Sequence, residues 1–570
     1  MKRFLTATAV LAAAVAAFVW LTFPPAHLVL PASFTDGTIP GILHVHSNRS
    51  DGRGSLDDIA RAAAQAGLKF VVVTDHGDGT RAPEAPLYRS GVLCIDGVEI
   101  STAGGHYIAL GLPKAPYRLG GEARDVVEDV ARLGGFGIAA HPDSPKPELS
   151  WREWSAPFDG VEVVNPDTAW RQQMRPLSGR GGTLPTRLLA ERLLSYPFRP
   201  AESIAGLIQP TRIRDRWAEA SRARRVVMVG GVDAHAQIAW RSNDPLDARA
   251  SIPIPSYESS FRTMSVHIST ERALTGDAAA DAALVMNAIR AGHLYTAVDG
   301  FAGPPTFEFT GRTAHALERA GDVVPGGGPV TLHVHSNAPA DFTTTVWNGA
   351  TVFSGGHHEP EFDVTAPGGA GVYWVDIRAT GRLGAPWITS NPIYVRAGES
   401  AATTPQRAAA RERQPLLGGS LRAAWRVEHD AASLAAVDLV ALAGAPSANQ
   451  ARLRFGLASG PPANQFAALV VDLGSGLAGN DRLSFTARAE QPMRVSVQLR
   501  SDRGRWQRSV YVDAEDQERT VFFDDLRPID AETDKPPRAE IHSVLFVIDA
   551  TNTKPGTSGR VWITNPALQR

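Results

Sequence analysis

Six histidines and three carboxylates share one context in the sequence, because each lies on a short apolar run or close to the end of one. They are His44, His46, Asp51, His76, Glu99, His106, His141, Asp233 and His235. Mixed imidazole and carboxylate ligands suit Zn, Mn or Fe better than Mg or Ca, which prefer oxygen-only shells. Cys94 is the only cysteine, which excludes a cysteine-based zinc site. The nine side chains offer enough ligands for more than one divalent metal ion.

The spacing of these residues indicates how they could meet. His44 and His46 are two residues apart on a predicted strand, which places both imidazoles on one face of it. Most of the others end a predicted strand, and His106 begins one. Since the C-terminal ends of parallel barrel strands converge on one mouth, we expect all nine side chains to share a site.

The elements that must position them alternate between residues 41 and 298. Short β-branched runs read as buried strands, with helical patterns between several of them. Ser55 and Asp58 predict the start of one helix and Gly67 its end, and residues 278–291 predict another that ends at Gly292. The alternation predicts the α/β class, with a mainly parallel sheet or barrel interrupted by a helical insertion over about residues 169–224.

Three further features are ambiguous in the sequence. Asn165 ends a predicted strand and is expected either to bind substrate or to cap the following turn. Arginines of the insertion could contact a substrate phosphate or form a solvated face; they include Arg171, Arg175, Arg180, Arg187 and Arg192. Leu332-His333-Val334-His335-Ser336 repeats the motif around His44, but it lies in an all-β region, and we expect the repeat to be coincidental.

The order and number of the motifs over about residues 40–300 resemble the polymerase and histidinol phosphatase (PHP) superfamily, and within it the exported CehA/McbA-type metallohydrolases. The motifs are His44-Val45-His46-Ser47, Ser50-Asp51-Gly52, Thr74-Asp75-His76, Gly97-Val98-Glu99, Gly105-His106-Tyr107, Ala140-His141-Pro142 and Gly231-Val232-Asp233-Ala234-His235. The resemblance implies a distorted (β/α)7 barrel over residues 32–300 that holds two or three divalent metal ions.

The resemblance also implies roles for the nine residues. One metal would be held by His44, His46, Glu99 and Asp233. Glu99 would bridge to a second metal, completed by His106 and His141, and a third would be held by Asp51, His76 and His235. A metal-bound water held by Glu99, Asp233 and His141 would lose a proton near neutral pH and attack the substrate.

After the predicted barrel, the sequence pattern changes to short predicted strands separated by turns. Residues 301–397 predict a small β-sandwich, residues 398–415 a linker, and residues 416–570 a second β-rich domain. The last domain resembles galactose-binding-like jelly rolls, which implies a carbohydrate as a binding partner. Trp506, Tyr511 and Trp562 could stack on a sugar, although core packing is the simpler expectation.

The N-terminal segment and the net charge limit where the protein can be located and which partners it can bind. Lys2 and Arg3 precede an apolar run over residues 4–23, so residues 1–31 are expected to be a signal peptide or a membrane anchor. We therefore expect the rest of the chain to be exported to a periplasmic or other extracytoplasmic location. The formal net charge of -2 argues against a nucleic-acid partner.

Three functions are compatible with these patterns. The favoured one is a metal-dependent phosphoesterase that acts on a small-molecule or polymer-linked ester. The second is a carbamate, ester or amide hydrolase that uses the same metals. The third, of another class, is a non-catalytic cell-surface carbohydrate-binding protein with a structural metal site.

Overall fold

The structure is a computed structural model. It describes residues 2–22, 27–31, 34–173, 186–239, 251–379, 385–396, 412–417, 424–444, 449–461, 464–474, 476–477 and 479–570. The chain divides into two compact units: the first comprises Met1–Pro113 and Glu122–Thr403, and the second Lys114–Gly121 and Thr404–Arg570.

A large twisted sheet organises the first unit. Ten of its strands come from the region predicted as a barrel. Nine follow the spatial order Leu294–Ala297, Ser265–Ile268, Ile39–Val45, Phe70–Val73, Val92–Thr102, Gly105–Leu110, Phe136–Ala139, Gly160–Val164 and Val227–Gly230. The tenth, Leu87–Arg89, pairs antiparallel with Val92–Thr102. Their apolar side chains form a buried core that includes Leu43, Val72 and Ile138. The α/β character expected from the alternating pattern is therefore confirmed.

The strand directions are mixed rather than mainly parallel. Val92–Thr102 and Gly105–Leu110 pair antiparallel, since only Ala103 and Gly104 connect them and a parallel pair needs a long crossover. This hairpin sets Ser101 opposite His106, so the start of one strand and the end of its neighbour lie at the same edge. His106 can therefore join residues that end their strands.

The sheet curls back on itself beyond its last strand. The amide of Val232 donates to the carbonyl of Leu43 at 3.0 Å, and the amide of His46 donates to the carbonyl of Ala234 at 3.0 Å. Val45 and Ala234 also form a parallel bridge. The segment that carries Asp233 and His235 therefore lies beside the strand that carries His44 and His46. The seven-fold barrel count implied by the resemblance remains a prediction.

Helices pack around this sheet: Leu56–Gln65, Ala123–Arg132, Pro166–Gln173, Thr186–Ser195, Pro200–Ala205, Arg214–Ala223, Tyr257–Phe261 and Ala278–Ala291. Ser55 and Asp58 form the expected capping box at the start of the first. Gly292 ends the last in a left-handed conformation, also as expected. Several of these helices fall in the predicted insertion, of which residues 174–185 lie outside the described residues.

Residues 301–397 also belong to the first unit. The strand Pro386–Ser390 pairs with Leu294–Ala297, so the large sheet continues past residue 300. Its further strands are Val323–Pro325, Phe342–Asn348, Thr351–His357, Gly371–Ala379 and Ile393–Arg396. A separate four-stranded sheet comprises Phe307–Arg312, Leu317–Arg319, Val330–Ser336 and Glu361–Ala366. A separate sandwich domain over residues 301–397 remains a prediction.

The second unit contains two six-stranded sheets. One comprises Arg413–Pro415, Leu434–Val440, Gln450–Gly456, Arg482–Ala489, Gln517–Phe522 and Ser558–Gln569. The other comprises Ala424–His429, Phe466–Asp472, Met493–Ser501, Gly504–Val512, Arg527–Pro528 and Ser543–Asp549. Phe485 of the first sheet contacts Phe546 of the second, with ring centroids 5.1 Å apart, so the two sheets share one apolar core. Most of the predicted linker lies outside the described residues.

The helix Lys2–Thr22 stands apart in composition. Its Arg3–Thr22 segment is long and apolar enough to cross a membrane, and none of it is buried within the structure. This agrees with a signal sequence or an anchor, and either would leave these apolar side chains exposed in the chain alone.

Candidate metal centre

All nine predicted ligands lie in one buried cluster. Their donor atoms form four overlapping groups, each with all atoms within 4.8 Å of one another. The groups are His44, His46 and Asp233; His44, Glu99 and His141; His76, Glu99 and His106; and His46, Asp51, His76 and His235. The fold thus brings together side chains from six separate strand ends or loops.

Glu99 lies close to both imidazoles of the first group, as Asp233 does. His44 Nε2 lies 3.3 Å from both Glu99 Oε2 and Asp233 Oδ1. His46 Nε2 lies 3.2 Å from Glu99 Oε2 and 3.3 Å from Asp233 Oδ1. Four ligands about 2.0–2.1 Å from a central ion would be about 3.3–3.4 Å apart. The four distances from the two imidazoles to the two carboxylates are therefore those expected between ligands of one metal ion.

The same nitrogens have no hydrogen-bond partner among the described residues. His44 Nε2 and His46 Nε2 are both buried, and neither forms a hydrogen bond with a described residue. Leaving buried polar atoms unpaired is costly, and native proteins rarely do so without a reason. A bound divalent cation would supply the missing interaction for both imidazoles.

Glu99 lies at the centre of the cluster and is 1% exposed. Its Oε2 faces His44, His46 and His76, and its Oε1 faces His106 Nδ1 at 2.8 Å and His141 Nε2 at 2.9 Å. The two oxygens therefore address different sets of imidazoles, as a carboxylate that bridges two metals must. His106 and His141 fall in different groups of donors, so their completion of one shared site remains a prediction.

Asp51 organises the remaining group. Its Oδ2 lies 3.2 Å from His235 Nε2 and 3.5 Å from His76 Nε2, and its Oδ1 lies 3.3 Å from His46 Nδ1. The His76 and His235 side chains are 31% and 15% exposed, so this end of the cluster is open to solvent. Solvent can therefore reach the cluster from this end.

Backbone strain is concentrated at the cluster. His44, His141 and Asp233 have positive φ angles of 65°, 26° and 52°. Each such conformation costs a non-glycine residue about 1–3 kcal/mol and persists only where the surrounding structure enforces it. The strain turns these three side chains out of the regular strand alternation and into the shared space.

Glu162 supports the cluster through hydrogen bonds to two candidate ligands, whereas the sequence favoured a place in the core or in an ion pair over a role in the site. Its Oε1 accepts from His44 Nδ1 at 2.6 Å, and its Oε2 accepts from the His141 amide at 2.6 Å. A Cβ at Gly231 would lie 1.6 Å from Glu162 Oε1, so only glycine admits this carboxylate. The only sequence signal was an acidic residue within an otherwise apolar strand. Glu162 fixes the tautomer of His44 and leaves Nε2 free to bind a metal.

The loop that carries Asp51 is held by its own hydrogen bonds. Asp75 accepts from the Ser47 amide and from the hydroxyls of Ser47 and Ser50, each at 2.7 Å. The Tyr257 hydroxyl donates to the His46 carbonyl at 2.6 Å. The side chain of Asp75 therefore organises the loop that carries Asp51, and its backbone carbonyl accepts from the Glu99 amide at 3.2 Å.

The cluster concentrates charge in a buried space. Burial raises the pKa of Glu99, but the imidazoles of His44, His106 and His141 outweigh burial and hold that pKa well below its ordinary value. Burial opposes the charge on His44, yet Glu162, Asp233 and Glu99 raise its pKa. Despite burial, Asp51 and Asp233 raise the pKa of His235 to about 9. The carboxylates thus create a field that attracts cations.

Asn165 is engaged in local structure. Its side-chain oxygen accepts from the Thr168 amide at 2.8 Å, at the start of the helix Pro166–Gln173, and its amide nitrogen donates to Glu162 at 3.1 Å. These contacts match the capping alternative. Its binding of substrate remains a prediction.

Of the insertion arginines, Arg175 and Arg180 lie outside the described residues. Arg171 pairs with Asp167, whose charge raises the pKa of the guanidinium, and Asp233 and Asp51 contribute to the same shift. The direct partner of the Arg171 guanidinium is thus the carboxylate of Asp167.

The repeated motif around His333 lies elsewhere. His333 Nδ1 is 2.8 Å from Asp363 Oδ1, and the ring of His335 stacks on Phe34 with centroids 3.8 Å apart. Neither histidine belongs to any candidate metal group of the described residues.

Comparison with known proteins gives similarity to solved structures alone. No family model and no curated protein matches the chain. The chain is similar to a two-domain protein from Bacteroides vulgatus that contains a predicted PHP-like metal-dependent phosphoesterase, with 14% identity, 65% of this chain and 99% of that chain covered, and a TM-score of 0.27. The family 11 carbohydrate-binding module of the Clostridium thermocellum cellulase Lic26A-Cel5E is also similar, with 16% identity, 28% and 95% coverage and a TM-score of 0.22.

Proposed function

We propose that this protein is a metal-dependent hydrolase of phosphoesters. The observation that carries the proposal is Glu99, a buried carboxylate whose two oxygens face separate sets of imidazoles. His44, His46 and Asp233 would hold one divalent ion with Glu99. His106 and His141, and the group around Asp51, would hold one or two more.

Bound Zn, Mn or Fe ions would supply a nucleophilic water at neutral pH and would stabilise negative charge on substrate oxygens. The protein positions the groups that make this chemistry selective. Glu162 orients His44 through a 2.6 Å hydrogen bond, and Tyr257 holds the backbone of His46. His76 and His235 lie at the exposed end, where a substrate would arrive.

Arg171 favours an anionic substrate. Its guanidinium lies within the field of Asp233 and Asp51, and a planar fork of donors binds phosphate oxygens in pairs. A phosphoester would bring negative charge to this cation, whereas a neutral carbamate would not.

Carbamate, ester or amide hydrolysis is the second candidate. A largely apolar cavity has Asp233 and His235 in its wall, and such a wall favours an uncharged, apolar substrate. The two candidates therefore make opposite predictions about charge on the scissile group.

One experiment separates them. The full chain, purified in mild detergent and loaded with Zn, Mn or Fe, is assayed on p-nitrophenyl phosphate, bis(p-nitrophenyl) phosphate, p-nitrophenyl acetate and phenyl N-methylcarbamate. We expect phosphoester turnover that disappears in Glu99→Gln. Turnover of the carbonyl substrates alone would favour the second candidate. A folded, metal-loaded chain silent on all four would leave the carbohydrate-binding hypothesis.

We also propose carbohydrate binding by the second unit. Trp562 lies on the outer face of its sheet, since its neighbours Val561 and Ile563 point into the core. Its ring is partly exposed and lies 3.8 Å below the guanidinium of Arg488. By contrast, Trp506 is fully buried, and Tyr511 stacks on Tyr117. Trp562 is therefore the aromatic that we expect to contact a sugar.

The proposed location is outside the cytoplasm. The helix Lys2–Thr22 supports either a cleaved signal or an anchor in the inner membrane. A C-terminal alkaline phosphatase fusion reports the side of the membrane, and the mass of the mature chain shows whether the helix is removed. An inactive fusion at full expression would contradict export.

A further inference from the structure

A cavity of about 190 Å³ adjoins the metal cluster, and Asp233 and His235 form part of its wall. Part of the remaining wall comes from the helical insertion and includes Trp170, Leu193, Ile204 and Leu207. Its volume slightly exceeds that of an engineered apolar cavity of about 150 Å³ that accepts benzene. The cavity therefore has room for one six-membered ring.

Several polar groups in the wall are already engaged, and the largely buried side chain of Arg192 also lines the cavity. The Ser203 hydroxyl pairs with Ser195 at 2.8 Å, and the Gln237 amide donates to the Asp51 carbonyl at 2.6 Å. Tyr196 bonds with Ser259, and Asp167 pairs with Arg171. A sugar or another polyol would lose its hydration against Trp170, Leu193 and Leu207 without gaining partners there, whereas an apolar group would not.

We infer that the substrate is an ester whose alcohol part carries a single aryl ring, or a branched alkyl group of similar size, and that this part occupies the cavity. The inference rests on the proposed function, because it places the ester bond at the metal cluster. With Asp233 and His235 in the cavity wall, a scissile group at the cluster would direct its apolar substituent toward Trp170 and Leu207.

A series of primary alkyl phosphates tests the size of the substituent, because their leaving groups have similar basicity. We expect kcat/KM to rise by about fourfold for each added methylene from methyl to hexyl phosphate, which corresponds to burial of apolar surface. Benzyl phosphate should match hexyl phosphate, and 2-naphthylmethyl phosphate should fall at least tenfold below benzyl phosphate. A flat series would overturn the inference and leave phosphoester hydrolysis standing.

Binding provides a readout that does not depend on turnover. By calorimetry on the metal-loaded full chain, benzylphosphonate should bind at least thirtyfold more tightly than methylphosphonate. Leu193→Trp narrows the cavity. It should weaken the binding of benzylphosphonate at least tenfold and leave the binding of methylphosphonate unchanged. Leu194→Trp is the matched control: Leu194 is 60% exposed, neighbours Leu193 on the helix Thr186–Ser195 and is absent from the wall.

Equal binding of the two phosphonates, or equal effects of the two substitutions, would overturn the inference. Size-selective binding without hydrolysis of any ester would support the cavity's role and contradict the proposed function. The two ideas can therefore fail separately.

Discussion

Oε1 of Glu162 lies 2.6 Å from Nδ1 of His44, and both side chains are fully buried. The bond commits His44 to the tautomer whose Nε2 faces Glu99 and Asp233. Glu162 also accepts from the amide of His141, so one carboxylate aligns two candidate ligands.

Glu162→Gln should therefore weaken metal binding by about 10–100-fold without removing any ligand. Competition with a chromophoric chelator measures this change. Asp322→Asn is the matched control, since Asp322 makes a similar 2.7 Å contact with His293 away from the cluster. Equal metal affinity in wild type and Glu162→Gln would show that the bond is merely structural.

Glu99→Gln should remove at least one metal equivalent and nearly all turnover. An amide offers one neutral oxygen where the carboxylate presents two charged ones to opposite sets of imidazoles. The number of metal ions per chain is measured by inductively coupled plasma mass spectrometry or by atomic absorption. Full metal content with normal turnover would refute the bridging role.

The two Leu-His-Val-His-Ser motifs provide an internal control. His46→Ala should lose metal and reduce turnover by at least a hundredfold, because His46 Nε2 is a buried donor facing Glu99 and Asp233. His335→Ala should keep both, since His335 stacks on Phe34 instead. Metal content and kcat/KM measured side by side would expose any role of the second motif.

Gly231→Ala should disrupt the cluster although it removes no polar group. The new Cβ would lie 1.6 Å from Glu162 Oε1, so the carboxylate must move away from His44. We expect a loss of about 1–3 kcal/mol in the free energy of unfolding, together with weaker metal binding. Gly328→Ala, where nothing lies within 4 Å, is the control. If neither the free energy of unfolding nor metal binding changed, the Glu162 carboxylate could move aside without cost.

His267 should make stability depend on pH. Its imidazole is buried, stacks on Tyr295 and lies 3.0 Å from the Thr38 hydroxyl. Burial lowers its pKa to about 4 despite the nearby charge of Asp36, whereas a histidine in an unfolded chain titrates near pH 6.5. Between these values the unfolded chain binds more protons, so stability is complete above about pH 6.5 and is lost toward pH 4.

Between pH 6.5 and pH 4, the free energy of unfolding should fall by about 3 kcal/mol because of His267. Unfolding midpoints of wild type and His267→Gln, measured with saturating metal from pH 4 to 7, isolate this contribution. The variant should show the shallower dependence on pH. Parallel curves would assign the acid sensitivity to other groups.

Trp562→Ala should abolish retention of the full chain on an insoluble polysaccharide that retains wild type, without changing turnover of a soluble ester. The partly exposed ring offers a flat apolar surface for a sugar. Arg488→Gln tests whether the guanidinium above the ring competes with the ligand. If no polysaccharide in a broad panel retains wild type, the carbohydrate proposal is wrong.

Much of the metal site could be predicted from the sequence because its ligands are tied to local patterns. The two-residue spacing of His44 and His46 predicted that their imidazoles would lie on the same side of the chain, and most other donors directly follow apolar runs that are typical of buried strands. Helix ends at Ser55 and Gly292 were predictable for the same reason, since capping depends on neighbouring residues.

The tertiary structure alone decided which atoms face one another. The hairpin that brings His106 beside Ser101 and the left-handed turns at His44, His141 and Asp233 depend on distant parts of the chain. Glu162 and Gly231 are 69 positions apart, and neither shows its function in its own surroundings. The cavity beside Asp233 likewise exists only because the insertion packs against that segment. The types of ligand are thus a property of local sequence, whereas their alignment and the shape of the substrate space are properties of packing between remote segments.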